Sequence, residues 1–393
     1  MNSPLPSVPV LSLVAGGPLY RLQQWLGLIT PRSSGVARRA ALAVALTWVP
    51  LLILSAAQGV ALGDAVRIPF LHDFAGYARF LVAIPLLIVA EGLIGGHLSD
   101  VLAHFAHAGL VPDRRLPDYA AALARAARRR DSVLAEAVLV VVTCVTVALA
   151  RNEFPFPFST WRSLVIDSVH VRTWAGWWNL VMGMGLFHFL IWRWLWRLFI
   201  WYALLWRLSR LDLQLTPTHA DQAAGLGFVG DAQRFFWVIV SAISVSIAGV
   251  LADEIVFGGA ALQGFKFTIA GYVLIVLFVF LGPLLMFVPM LAKAKVKWMH
   301  EYSALGIRHN RMFDAKWVQG DNPAGDTPLG APDISSLADL GGAYQTLARM
   351  RPIPFDPRDA LALALAALIP LAPLLLTVYP LDQLFNVLWK ALL

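Results

Sequence analysis

Two carboxylates, Glu91 and Glu136, stand inside long apolar runs, residues 80–96 and 133–150. A charge at the centre of a bilayer costs roughly 2.5–3.5 kcal/mol on insertion scales. Such a side chain faces a protein interior or water, and its natural work there is to bind an ion or relay a proton. Each carboxylate falls towards the end of its run that adjoins the basic segment 97–132, on the cytoplasmic side, so a shared polar layer is expected, with Arg193 or Arg130 as a partner. The alternative is an ion pair that only holds helices together. His188 lies in another apolar run, one turn before a Trp- and Arg-rich stretch. It completes an ion-pathway set of Glu91, Glu136, Arg193 and His188. A helix–helix hydrogen bond is its competing role, and no second axial ligand for haem accompanies it.

His97, Asp100, His104 and His107 are spaced three, four and three. On a helix they fall within roughly 80° of one another. Their types suit zinc or another transition metal. A divalent metal is the one cofactor the sequence offers. Against it, the helical rise spreads the four over some 15 Å, and a solvated helix face fits the same pattern.

The segment Thr216–Gly230 reads TPTHADQAAGLGFVG, with His219, Asp221, Gly225, Gly227 and Gly230 prominent. No strand precedes it and its spacing is wrong for a dinucleotide loop. It reads as a tight turn that serves as a hinge or a ligand contact. It resembles an H-P-D-x-A-G-G-L-G-F segment of a family of uncharacterised bacterial multi-pass inner-membrane proteins. The resemblance extends to DISSLADLGGAYQTLARMRPIPF at 333–355. Ala220 stands where the family pattern has Pro, and Ala224 where it has Gly. The resemblance implies a bacterial inner-membrane protein and no activity. Nowhere does a Walker A, G-x-S-x-G, H-E-x-x-H or kinase signature occur.

The elements that must position these residues follow from composition. Of 393 residues, 59% are hydrophobic and 14% charged, against about 25% charged in a soluble domain. So much apolar surface asks for a bilayer. A single cysteine, Cys144, excludes an internal disulfide. The start of the chain lacks the pattern of a cleaved signal peptide, so the first apolar run is expected to stay.

Seven runs are long enough to cross a hydrocarbon core: 40–60, 80–96, 133–150, 175–191, 235–251, 267–291 and 360–378. The last holds Pro370 and Pro373 and reads as a span or a re-entrant element. Of the 31 Lys and Arg residues, 24 lie in the N-terminal segment and in 97–132, 192–234 and 292–358. The positive-inside rule puts these on the cytoplasmic side, with the N-terminus. The net charge of +7 thus reports orientation, and nucleic acid is excluded as a partner. The expected layout is a cytoplasmic segment 1–39, spans within 40–96, a cytoplasmic segment 97–132, spans within 133–291 interrupted by the loop 192–234, cytoplasmic helices over 292–358, and a last element with tail at 359–393.

Residues 17–30 predict an interfacial helix. No Gly or Pro occurs from Trp192 to Leu213, so the fourth span is expected to continue to Leu213. The sixth is expected to run on towards Phe313, kinked at Gly282-Pro283 and Pro289. Residues 314–332 predict a flexible linker, and Asp333 an N-cap for a helix with an apolar face of Ile334, Leu337, Leu340, Tyr344 and Leu347. Asp64, Asp73, Asp253 and Glu254 predict solvated acidic loops on the far side, with attraction of cations to an external mouth as the alternative.

The fold class is all-α, a polytopic bundle with long helices projecting into a cytoplasmic layer. Three function classes follow. An ion channel or transporter, homo-oligomeric, fits the intramembrane charges and Ser241, Ser244 and Ser246. A scaffold or sensor would work through the cytoplasmic layer, with a protein partner on 314–351. An enzyme acting on an apolar or lipid-linked substrate would need His219, Asp221 or the 97–107 face.

Overall fold

A computed structural model describes residues 11–30, 34–320, 327 and 332–377. The architecture is all-α. Among the described residues, six helices are long and apolar enough to cross a membrane, which defines a multi-pass membrane protein.

The chain opens with α1 (Pro18–Trp25), a short helix started by Pro18. It leaves Leu22, Trp25 and Leu26 exposed, as an interfacial helix does. The first spanning helix is α2 (Val36–Ala57) and the second α3 (Phe74–His107). A 3₁₀ turn at Asp113–Arg115 leads into α4 (Leu116–Arg130), with Pro117 in its first turn. Next comes α5 (Val133–Ala150), capped by Ser132, whose Oγ accepts from the Ala135 N–H. A hairpin of β1 (Ser163–Ile166) and β2 (Val169–Arg172) follows, with Ser163 paired to Arg172 and Ile166 to Val169. Asp167 and Ser168 take positive φ to close its tight turn.

Helix α6 runs continuously over 174–208 through the segments Trp174–Trp178, Asn179–Met184 and Gly185–Leu208. Asn179, His188 and the tryptophans lower its hydropathy, and it is not among the six. It ends at Leu208, short of the expected Leu213. The chain turns there so that Leu213 is buried and the Gln214 N–H reaches the Leu110 carbonyl at 2.8 Å.

Beyond the glycine-rich loop come α7 (Phe228–Val256), α8 (Leu262–Val318), α9 (Pro332–Arg349) and α10 (Pro357–Thr377). Helix α8 has 57 residues, about 85 Å at 1.5 Å per residue. A 3₁₀ stretch at Gly282–Phe287 marks the Gly-Pro step inside it. Its last turns, Asp314–Val318, are π-helical and occupy the start of the expected linker; 321–326 and 328–331 lie outside the described residues. Asp333 is not the cap of α9, which begins at Pro332; its carboxylate takes bonds from Lys316 Nζ (2.8 Å) and Trp317 Nε1 (3.2 Å). Leu347 of the α9 apolar face is buried, and α9 packs on α8. Lys295 of α8 donates to the carbonyls of Ala348 and Met350, closing the C-terminal end of α9. Helix α10 begins with a capping box of Asp356 and Asp359, and its second half, Ile369–Thr377, is 3₁₀ around Pro373.

Burial ranks the helices. Half of the apolar window of α3 and of α7 is buried, against 11% for α5. Helices α3 and α7 are the middle of the bundle. Helices α2 and α6 pack against one side and α10 against α7 on the other, while α5 is peripheral. Ser241 of α7 donates to the Ala366 carbonyl of α10, and Ser244 bonds the Tyr272 hydroxyl at 2.7 Å. These serines tie helices to one another.

Candidate functional site: buried charge along a helix seam

Helices α3 and α6 run past each other and place charge at both ends of their contact. At the end that carries α4 and the glycine-rich loop, Glu91 is 5% exposed. Its Oε1 accepts from Arg193 and Arg197, each at 2.8 Å, and its Oε2 from Arg39 of α2. Arg193 and Arg197 are one turn apart on α6 and so reach one carboxylate from the same face. All three guanidinium groups are buried. Four side chains on three helices therefore carry a surplus of two positive charges. Glu136 attracts Arg193 from a distance; with it counted, one positive charge remains in excess.

The expected shared layer of Glu91 and Glu136 does not form. Glu136 sits in the first turn of α5, and its Oε2 accepts the Leu19 N–H of α1 at 2.7 Å. The free N–H groups at a helix start attract a carboxylate, and this contact fixes α1 to the bundle. Arg130 takes the neighbouring Asp131 instead of Glu91.

At the hairpin end a second cluster forms. Asp73 is 2% exposed and both its oxygens accept from Arg162 at 2.7 Å. Asp253 of α7 accepts from the N–H groups of Phe74 and Ala75, capping the start of α3 across the bundle. The two carboxyls are close enough to interact with each other. Asp73 and Asp253 are thus buried, not in the solvated loops expected for them. The burial has a cause in the hairpin. Thr173 caps α6 and donates to the Trp161 carbonyl, and a Cβ on Gly176 would meet the Arg162 carbonyl at 2.0 Å. The hairpin is pressed onto the start of α6, and Arg162 is aimed inward by it.

Between the clusters both helices are locally unwound into π-helix, at Tyr77–Ala83 of α3 and Asn179–Met184 of α6. Such turns cluster at functional sites. They face each other. Phe80 is fully buried where a Cβ on Gly183 would come within 2.8 Å of its ring. Arg79, also buried, donates to Met184 Sδ at 3.0 Å and lies over the Phe187 ring. His188 bonds the Met184 carbonyl of its own helix at 2.8 Å, which places its proton on Nδ1.

The four candidate metal ligands are not gathered. The His97 ring stacks on Phe235 with centroids 3.5 Å apart, and His104 meets Phe228 edge-on at 4.5 Å. Among the described residues, no group of three or more His, Cys, Asp or Glu side chains is arranged to hold a metal ion. The helical rise that spreads them is the reason.

In the glycine-rich loop, Asp221 accepts the N–H groups of Ala223 and Gly225 on Oδ1 and of Gly227 on Oδ2, and lies 2.9 Å from His219 Nδ1. Gln222, Ala224 and Gly225 hold positive φ to present them. The loop is a clasp. Arg351 donates its backbone N–H to the Gln222 carbonyl at 2.7 Å and its side chain to the Asp221 carbonyl. A Cβ on Gly230 would meet the Pro354 carbonyl oxygen at 2.4 Å and Phe355 Cα at 2.8 Å. The two stretches that carry the resemblance therefore touch.

Burial raises the Asp221 carboxyl, but the Ala223, Gly227 and Gly225 N–H groups outweigh it and hold the group below the usual carboxylate range. Its stabilisation is present above the unfolded value, about 3.9, and is lost as pH falls through the lower folded one. Asp221→Asn is thus expected to speed amide exchange in 216–230 about tenfold or more at pH 7. The difference from wild type should shrink below about pH 4.

Sequence spacing pointed to Glu91 and Arg193 but missed Arg39 and Arg197 as their partners, as well as Asp73, Arg79, Arg162 and Asp253. The available signal for the last four was the scarcity of basic residues on their side of the chain. Comparison with known protein families, curated proteins and solved structures finds no match.

Proposed function

We propose that this chain is an integral membrane ion channel or transporter whose permeating species is an anion. It works as a homo-oligomer in a bacterial inner membrane, N-terminus in the cytoplasm. The observation that carries the reading is the α3–α6 seam, with buried charge at both ends, π-helical turns between, and positive charge in excess at the Glu91 end. Buried charge is retained in membranes chiefly where ions or protons move. Excess positive charge lowers the energy of an anion and raises that of a cation. The placement of 24 of 31 basic residues supports the orientation. Leu305, Ile307, Met312 and Val318 are exposed on the projecting part of α8 and favour a second copy beside it.

A scaffold or sensor role is the second reading, favoured by the α8–α9 layer. An enzyme finds less support, since the Asp221 carboxylate is already committed to three backbone donors.

The test is anion flux into liposomes holding the purified chain, read with a chloride-quenched dye, with phosphate and potassium flux alongside. Anion flux that falls at least tenfold in His188→Leu is the expected result. Correctly inserted protein that passes no anion, or passes cations equally well, overturns the reading.

A further inference from the structure

A cavity of about 190 Å³ opens beside the Glu91 cluster, between α1, α2 and α6. Its polar wall is Arg39, Arg193 and Gln23, and its apolar wall includes Leu42, Leu46 and Leu186. Three features define what it takes. Arg39 is 7% exposed, yet its Nε has no hydrogen-bond partner. A buried donor without an acceptor costs about 1–3 kcal/mol, so an acceptor group is wanted here. The cluster behind this wall has positive charge in excess. Finally, Leu42 and Leu46 are exposed on the outer face of a spanning helix, and α1, which roofs the cavity with Leu19 and Gln23, carries the exposed apolar face of an interfacial helix. The mouth therefore opens towards lipid at headgroup depth.

We infer that this cavity binds the phosphate of an anionic phospholipid, with the start of an acyl chain along Leu42, Leu46 and Leu186. The phosphate oxygens accept from Arg39 and Arg193 and draw on the unbalanced charge; basic pockets between spanning helices hold anionic headgroups in this way. Free phosphate offers the same oxygens but has nothing to place on the apolar wall. A zwitterionic lipid brings an ammonium group to a site that already has too much positive charge. The inference stands whether or not the seam conducts.

The experiment is native mass spectrometry of the full chain in detergent, with thermal unfolding in parallel. Phosphatidylglycerol, phosphatidylcholine and inorganic phosphate are added separately. One phosphatidylglycerol retained per chain with a rise in Tm, and neither effect from the other two, is expected. Arg39→Gln should lose retention at least tenfold. Because that change also disturbs the Glu91 cluster, Leu46→Trp is the companion variant. It fills the mouth, leaves every charge in place, and should lose retention while keeping the helical content. Equal retention of phosphatidylcholine, stabilisation by inorganic phosphate alone, or full phosphatidylglycerol retention in a folded Leu46→Trp protein overturns the proposal.

Discussion

Glu91→Gln is expected to remove most of the folded protein. The change is nearly isosteric, so packing is untouched and the effect is electrostatic. Arg39, Arg193 and Arg197 all direct a guanidinium nitrogen at this one carboxylate. Without its charge, three buried cations remain with nothing to oppose their mutual repulsion. Breaking a buried ion pair by removing one partner costs about 3–5 kcal/mol, and here one removal strips three partners. Recovery after extraction into mild detergent, measured by fluorescence-detected gel filtration, should fall well over tenfold. Removing one cation should restore part of it, so Glu91→Gln combined with Arg39→Gln is expected to be better folded than Glu91→Gln alone. That inverted order, a double variant healthier than its parent, is the signature of charge imbalance. Wild-type recovery of Glu91→Gln would show that the carboxylate is not what holds the three helices.

Gly230→Val is expected to be the second most damaging single change. The site is closed by backbone, the Pro354 carbonyl oxygen at 2.4 Å and Phe355 Cα at 2.8 Å from where a Cβ would stand. Backbone cannot swing aside as a side-chain tip can. The substitution must either push 354–355 away or shift the start of α7. Overpacking of this kind costs typically 1–3 kcal/mol, and more is expected here because the Asp359–Arg234 ion pair at 2.9 Å lies on the same contact. Protease cleavage of intact protein in membranes within 350–358 should rise several-fold, while sites in 151–172 are cut as before. Unchanged cleavage in both regions would mean that the clasp contributes little to order at that end. Gly271→Ala, in a helix and with nothing within 4 Å of the added Cβ, gives the comparison for a glycine change without a steric clash.

The helical class and the spans were legible because a bilayer imposes one strong rule, a run of apolar residues about 20 long. The end points were not. Helix α6 stops at Leu208 though no Gly or Pro marks it, because a tertiary contact from Gln214 to Leu110 decides the turn. In the site, Glu91 was conspicuous because an acid among apolar neighbours has only a few explanations. Arg39 was not, because its position at the edge of a span has an ordinary cause in the positive-inside rule. Asp73 and Asp253 looked like loop acids for the same reason. Only the hairpin, which brings Arg162 over them, turns exposed-looking acids into buried ones, and a four-residue strand pair leaves little trace in sequence. The metal face on 97–107 shows the converse. Angular spacing brought the residues to one side of a helix, but rise along the axis and stacking on Phe235 and Phe228 took the rings elsewhere.

The clasp between Asp221 and Arg351 joins residues 130 apart in the chain. At a synthesis rate of about 5–20 residues per second, the glycine-rich loop waits on the order of ten seconds for the segment that locks it. Through that interval helices α1 to α6 are already made, and Gly230 has no backbone seated against it. Most of the bundle is therefore made before it is latched, and the latch is carried by the short connection between α9 and α10.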